Sequence, residues 1–452
     1  HDRPAGVADL AIPDTVQAVV ASRIDLLDPE PKTVIQTASL VGKTFWTGAV
    51  EAMLDEPVDV DVGGALRELT RRELIRRERL STFAGETEYA FTHSVVRDVA
   101  SSRIPRALRA VRHHRAARWF EATSGDRVSD KAEVIAHHDA EALRLMIATD
   151  TEEVTALVDR AVASHRRAAE YAMALDVSAQ VAHLEAALEL VPGGDPRRGR
   201  LLYELGGAYA AAGTAELGAK TLHEARVELR DAGDLEGWGL ATSLLAQFLW
   251  VSGRPDEADA MLAEGSDVLS QHPPGPALAA MLSRSAGALW LRGASQEALD
   301  YVSRHRHVVE VHGDVGARQR MMSAEGGAKF DAGDPTAVEP FRQVLRMAIE
   351  ADDSMAVATA YLNLGEQLRT GWGAGEAIPV HERGLELAVQ RHTGGPEQFL
   401  RGSLAVDYFF AGRWDDALDQ LSAVEQISDR FSYLEGAITG VRTMIAAGRR
   451  GA

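Results

Sequence analysis

The sequence contains no cysteine. That excludes a disulfide framework, a thiolate metal site and any thiol nucleophile. It also lacks an apolar run of the ~18 residues a membrane span needs. The nearest stretch, residues 240–251, is interrupted by Thr242, Ser243 and Gln247. No charged segment followed by an apolar stretch opens the chain, so nothing points to secretion and the expected compartment is the cytoplasm. Lysine is scarce: Lys32, Lys43, Lys131, Lys220 and Lys329 stand against a background of arginine, a bias that reads as a GC-rich genome rather than a function. What is present is ordinary globular composition. Of 452 residues, 46% are hydrophobic and 25% charged, which excludes disorder for most of the chain. The length is that of about three domains.

The net charge of −19 is unevenly placed. Residues 1–120 hold 17 basic and 17 acidic side chains, so the whole surplus falls in the remainder. An acidic chain is a poor candidate for wrapping nucleic acid as a whole molecule. The uneven charge places a boundary between a neutral front part and an acidic, helix-rich rear.

The rear is a repeat. Helical periodicity dominates from about residue 130. Small residues recur at Gly206, Ala246, Ala286, Gly326, Gly365 and Ala405, almost all 40 residues apart. Twelve positions after each stand Gly218, Ala258, Ala298, Val338, Ala377 and Ala417. Between them lie turn signals such as Ala212-Gly213, Gly253-Arg254-Pro255, Arg292-Gly293, Gly333-Asp334-Pro335 and Ala411-Gly412. An aromatic precedes most turns: Tyr209, Trp250, Trp290, Phe330 and Phe409. Each unit is therefore two helices joined by a glycine turn, with small residues letting the backbones approach and the aromatic filling the next layer. The pattern resembles the tetratricopeptide family over roughly residues 161–452. The 40-residue period exceeds the usual 34, which predicts helices longer by half a turn to a turn. A weaker unit spans Ala168 to Pro192. At the other end, residues 444–449 repeat the turn signal shortly before Ala452. A first helix without its partner, and a start at His1, read as a piece of a longer protein.

The front third reads as a winged helix. Pro13-Asp14 opens a helix with Val16, Val19, Val20, Ile24 and Leu27 at helical spacing. Asp28-Pro29-Glu30 starts a second with Val34, Ile35, Ala38 and Val41 on its apolar face. A third is predicted over residues 62–73, with Leu66, Leu69 and Leu74. Residues 74–79 and 87–91 then flank residues 81–86 as a hairpin with Gly85 at the turn. The predicted organisation is a winged-helix-like domain over 1–125, a helical connector with a degenerate first repeat over 126–195, and repeats over 196–452. The fold class is mainly α: a winged helix followed by a right-handed α-solenoid of tetratricopeptide-like repeats.

Ile12-Pro13-Asp14-Thr15-Val16-Gln17, then Ser22-Arg23-Ile24-Asp25, then the run Thr37 to Phe45, are similar to the segment after the ATPase module in bacterial STAND-type signalling ATPases. These include LuxR-family transcriptional regulators and regulators fused to class III adenylate cyclases. The run Tyr89 to Ala100 and the arginine- and histidine-rich residues 106–120 continue the match, though Ser101 stands where an aromatic is usual. The resemblance covers about residues 8–143. It implies a nucleotide domain upstream that uses ATP or ADP, and superhelical repeats downstream.

Within that resemblance, His93 to Ala100 looks like the motif whose histidine touches the β-phosphate of bound ADP. His93 and Arg97 are thus nucleotide-sensing candidates toward a domain outside this chain. The other reading of His93 is capping or packing at the hairpin-to-helix junction. Arg67, Arg71, Arg72, Arg76, Arg77 and Arg79 cluster where DNA-reading winged helices put their contacts. Glu68, Glu73 and Glu78 interleave at ion-pair spacing, which favours a solvated or interdomain face over DNA contact. Gly42-Lys43-Thr44 is not a phosphate loop, because Thr37 stands where the motif needs glycine and the segment is helical. Glu133, His137, His138 and Glu141, and His305, His307 and His312, contain metal-ligand types, but adjacent histidines diverge by about 100° on a helix. His223-Glu224 lacks the second histidine of a zinc-protease helix.

No catalytic residue, metal ligand or resident cofactor is expected in this chain. The expected function is regulatory: repeats that bind a protein or peptide, and a winged helix that relays occupancy to a covalently linked upstream ATPase. The acidic surplus favours basic partners. Direct DNA binding through the arginine cluster is the alternative, and no membrane partner is expected.

Overall fold

The computed structural model describes residues 14–54, 60–125, 128–146, 151–173, 175–334, 337–391, 393–426 and 432–451. The chain divides into two compact units, His1–Ala168 and Ala169–Ala452.

In the first unit α1 (Asp14–Asp25) and α2 (Pro29–Val41) are followed by a short strand, β1 (Thr44–Trp46), and α3 (Thr47–Met53). Then come α4 (Val62–Arg71), β2 (Ile75–Arg77) and β3 (Glu88–Phe91). Four helices complete the unit: α5 (Ser94–Ser102), α6 (Arg106–Ser124), α7 (Ala132–Leu145) and α8 (Thr151–Met173), the last carrying the boundary. The hairpin predicted over residues 74–91 is present, with Gly85 at φ +83°. The sheet has a third strand that the sequence did not announce. Its order is β1-β3-β2, all antiparallel, with Phe45 opposite Tyr89 and Ile75 opposite Phe91. Three residues are too few for alternation to register as a strand, and pairing to β3 supplies the missing information.

The apolar faces of α2 and α4 are buried as predicted, through Val34, Ile35, Ala38, Val41, Leu66 and Leu69. On α1 only Val20, Ile24 and Leu27 are; Val16 and Val19 face outward. Trp46, Phe83, Trp119 and Phe120 form an aromatic cluster with centroids 4.9–6.0 Å apart. Buried Glu88 orders the loop above it by accepting from Trp46 Nε1 (3.1 Å) and from the Thr82 amide (2.8 Å). Gly42 ends α2 and Thr44 begins β1. The order is helix then strand, the reverse of a phosphate loop.

The second unit opens with α9 (Val177–Glu189), followed by helix pairs. These are α10 (Arg198–Ala212) with α11 (Ala215–Asp231), α12 (Leu235–Val251) with α13 (Pro255–Leu269), and α14 (Pro276–Leu291) with α15 (Ser295–His312). Then come α16 (Val315–Asp331) with α17 (Val338–Glu350), α18 (Ser354–Trp372) with α19 (Ala374–Gln390), and α20 (Gly394–Phe410) with α21 (Trp414–Glu425); α22 (Ser432–Gly451) follows. The helices are long, as the period requires: the first of each pair has 15 to 19 residues.

The spaced small residues do what small residues are for. A Cβ on Gly206 would stand 2.6 Å from Leu222, and one on Gly218 would stand 3.2 Å from the Gly206 carbonyl. The aromatic before the turn fills the neighbouring repeat: Trp290 occupies the space a side chain on Gly327 would need, and Phe330 that of Gly371. The turns are glycine-terminated helix ends, with Gly213, Gly253, Gly293, Gly333 and Gly412 at φ between +75° and +84°. In each, the amide after glycine returns to a carbonyl five residues back, as Ala294 N to Leu289 O at 3.0 Å. Nothing lies within 4 Å of a Cβ added at Gly293. Gly293→Ala therefore meets only the left-handed backbone cost, about 1 kcal/mol, and urea denaturation is expected to show a stability loss of that size, read as a lower midpoint with unchanged slope. The turn predicted over residues 444–449 does not form. Gly448 lies inside α22 and admits the Trp414 ring against the helix, so it serves as a close-approach glycine instead.

First helices pack on the first helices of neighbouring repeats along the array, whereas second helices pack on first helices. The first helices are thus the inner layer. That layer returns on itself: α10 touches α20, and Gln398 Nε2 donates to the Gly213 carbonyl at 3.5 Å. Gly394 and Gly395 make the approach feasible, since a Cβ at either would stand 2.6–2.7 Å from the Ala212 or Ala210 carbonyl.

Candidate functional site

The inner layer of the repeats is lined by polar side chains at repeating positions. Ser243, Ser283 and Ser323 each stand three residues before the small residue of α12, α14 and α16, and all three are buried. The arginine of the next repeat reaches back to two of them. Arg284 Nε donates to Ser243 Oγ at 2.8 Å, and Arg320 Nε donates to Ser283 Oγ at 3.2 Å. Arg226 Nε, from α11, donates to Thr242 Oγ1 at 2.8 Å, while its guanidinium stands 5.8 Å from the Trp238 ring centroid. At one end of this ladder Arg200 makes a two-pronged pair with Asp234, 2.5 and 2.8 Å. The Tyr203 phenol shares this environment, and burial raises its pKa. Sequence inspection did not find these arginines, because nothing in their spacing sets them apart: Arg284 is the one charge of α14, whereas Arg200, Arg226 and Arg320 stand among other charged residues of their helices. The 40-residue serine spacing was the available signal.

At the other end the ladder closes on a buried ionic group. Asp407 is fully buried and accepts from Arg369 Nη1 at 3.1 Å. Its second oxygen meets His381 Nδ1 at 2.6 Å. His381, also fully buried, uses Nε2 toward the Leu362 carbonyl at 3.1 Å. Its ring lies where a side chain on Gly365 would be, so the small-residue position here makes room for a histidine rather than a backbone.

The first unit holds its own polar core. His113 and His138 meet Nδ1 to Nδ1 at 2.9 Å, both buried. Beside them Asp139, fully buried, accepts from Arg160 Nε (2.7 Å) and Ser164 Oγ (2.6 Å). The adjacent histidines diverge as helix geometry demands: His138 points into the core and His137 is exposed. Among the described residues no group of three or more His, Asp or Glu is placed to share a metal ion.

His93 sits at the N-terminal boundary of α5, exposed, and its side chain makes no capping bond. Arg97, one turn on, pairs with Asp98 at 2.8 Å. It lines a cleft of about 370 Å³ with Gly42, Arg109, His113, His137 and Glu141. Arg71, Arg72, Arg76, Arg77 and Arg79 are exposed on α4 and the hairpin. Arg72 pairs with Glu68 (2.8 Å), Arg76 with Glu78 (2.9 Å), and Arg67 with Asp61 (3.8 Å). Two of the interleaved glutamates thus make ion pairs with the cluster. Glu73 instead takes φ +58° at the end of α4.

No protein-family profile matches the chain. No curated protein matches it either. Among solved structures it is similar to a Signal Transduction ATPase with Numerous Domains (STAND) protein with a tetratricopeptide repeat sensor from Pyrococcus horikoshii. Identity is 14% and the TM-score 0.50; the match covers 95% of this chain and 62% of that one, so this chain spans less than two thirds of its length. It is also similar to the Rap conjugation gene regulator of the plasmid pLS20, solved in complex with the Phr* peptide. There identity is 11%, the TM-score 0.51, and coverage 72% of this chain and 98% of that one. At such identities the likeness is one of fold. The chain is mainly α and carries a tetratricopeptide-like solenoid. No described helix is long and apolar enough to cross a membrane.

Proposed function

We propose that this chain is the ligand-sensing region of a STAND-type signalling ATPase, with the inner layer of its repeats as the receptor for a protein or peptide. The observation that carries the reading is the inner layer itself. A stack of helices related by a 40-residue period, whose serines are met by arginines of the next repeat, is built to hold something polar and extended. The likeness to a STAND protein with a repeat sensor, and to a repeat regulator solved with a peptide, supports it. On this reading the first unit relays occupancy to a nucleotide domain covalently upstream, with ATP or ADP as its ligand. The parent's output is transcription control or cyclic-nucleotide synthesis, in the cytoplasm, and this chain itself carries no catalysis.

His93 is the residue proposed to face that nucleotide domain, with Arg97 behind it. Its exposed position at the head of α5, uncommitted to capping, supports this. In the longer protein His93→Ala is expected to weaken ADP binding about tenfold, the scale of one charge-assisted hydrogen bond. Unchanged ADP affinity by calorimetry refutes the contact. For the sensor itself, capture of synthetic peptides by the immobilised chain is the direct test, and no retention above a scrambled-repeat control defeats it.

Direct DNA binding has one observation in its favour: Arg71, Arg77 and Arg79 are exposed and have no carboxylate within ion-pair distance among the described residues. A low-salt electrophoretic shift abolished by Arg71→Ala with Arg77→Ala would establish it.

A further inference from the structure

Two arginines of the inner layer are not neutralised by the fold. Arg284 and Arg320 each spend Nε on a neutral serine hydroxyl. Neither has a carboxylate within 4 Å among the described residues, whereas Arg200, Arg369 and Arg401 of the same unit all do. Protein crowds both: burial pulls the Arg284 pKa well below an ordinary arginine's and that of Arg320 in the same direction, and each arginine's charge is felt at the Tyr203 phenol. The Arg320 charge also disfavours that of Arg284. Asp314 is the acid whose field reaches all three, and its Oδ1 is already held by the Ala317 amide at 2.6 Å as the cap of α16. The Tyr203 hydroxyl, which feels the charges of both arginines and has no hydrogen-bond partner among the described residues, is a third donor.

A guanidinium is a planar fork of five donors, so each arginine keeps its terminal nitrogens for another acceptor. Two half-buried cations on neighbouring first helices, neither in ion-pair contact with a carboxylate, cost stability, and an incoming oxyanion relieves that cost. We propose that Arg284, Arg320 and Tyr203 form an anion subsite that takes a carboxylate of the bound peptide. The subsite rests on the peptide reading above and gives it a polarity that the acidic surface alone would reverse. A carboxylate is favoured over a phosphoryl group because the nearby Asp314 charge opposes a dianion more than a monoanion.

The test uses the whole chain in two arms. In the first, thermal unfolding is followed in succinate, in inorganic phosphate and in sodium chloride at matched ionic strength, for wild type and for the pair Arg284→Gln with Arg320→Gln. Circular dichroism confirms that the variant folds; loss of two uncompensated cations is expected to leave its melting temperature equal or higher. Succinate is expected to raise the wild-type melting temperature by about 2–4 °C over chloride and to leave the variant unmoved. No wild-type shift, or an equal shift in both proteins, overturns the subsite. A larger shift in phosphate than in succinate overturns the carboxylate assignment.

In the second arm the immobilised chain captures degenerate nonapeptide pools made with free or amidated C-termini, each with and without Asp and Glu. Retention of carboxylate-bearing pools at least tenfold over the amidated, acid-free pool, lost in the double variant, supports the proposal, and the pool retained says which carboxylate binds. Equal retention of all pools overturns the subsite and leaves the peptide sensor standing. Succinate protection with no pool retained keeps the anion site and overturns the peptide reading.

Discussion

Replacing Asp407 by alanine is expected to destabilise the repeat unit by about 3–5 kcal/mol, the largest single-residue effect in that unit. The carboxylate is fully buried and joins three helices: Arg369 on α18, His381 on α19 and its own α20. Its removal leaves a guanidinium with a single remaining carboxylate, Glu366, and a buried imidazole with one nitrogen facing a cavity. The Leu362 carbonyl can only accept, so His381 Nε2 carries a proton and the ring cannot turn over to compensate. Gly365 forbids a sideways escape, since the ring already fills the space above it. Asp407→Asn keeps the shape and part of the hydrogen bonding, so its loss should be about half as large. Hydrogen exchange resolved by peptide locates the effect: protection should fall first in α18–α20 and least in α12–α14. Equal loss along the whole array, or a loss below 1 kcal/mol, refutes the role given to Asp407.

How much of this was legible beforehand follows from the range of each interaction. The small residues, the glycine turns and the aromatic before each turn are local or strictly periodic, and 40-residue self-comparison exposes them. The ladder of serine and arginine is only half periodic: Ser243 and Ser283 keep the register, but Arg284 and Arg320 stand at different positions of their repeats. Two helical positions can deliver a long side chain to one place, and sequence does not display that equivalence. The closure of α10 on α20 joins Gly213 to Gln398, 185 positions apart, with Gly394 and Gly395 as the sole trace in sequence, indistinguishable there from a turn. The predicted turn over residues 444–449 failed for the same reason, glycine serving equally for a turn and for the approach of Trp414. In the first unit His137-His138 drew attention as metal ligands. The true partner of His138 is His113, 25 residues away on another helix.

That histidine pair sets the second large expectation, a loss of stability of the first unit between pH 7 and pH 5. His113 is held down to about 4, chiefly by burial, with His137, Arg109 and Arg144 acting the same way and Glu141 opposing. His138 is held down to about 3, by burial first, then by the charges of His113 and His137, with the Val41 carbonyl opposing. Phe120 stacks on the His138 ring at 5.6 Å, and the burial it helps to provide outweighs what its ring face offers a positive charge. A single Nδ1-to-Nδ1 hydrogen bond needs one donor and one acceptor, which two neutral rings supply and two imidazolium ions cannot. The unfolded chain takes up these protons near pH 6.5, and the folded chain does so only near pH 4 and below. Stability from the pair is therefore complete above about pH 7.5 and falls as pH drops through that window, by about 2–4 kcal/mol at pH 5. Replacing both rings by apolar groups, His113→Leu with His138→Phe, removes the titration and leaves neither ring nitrogen facing an unpartnered one. The double variant should show a nearly flat stability between pH 7 and pH 5 and exceed wild type at the acid end. Peptide-resolved exchange of α6 and α7, corrected for the intrinsic pH dependence, reads the effect where it arises, and identical pH profiles for the two proteins would refute it.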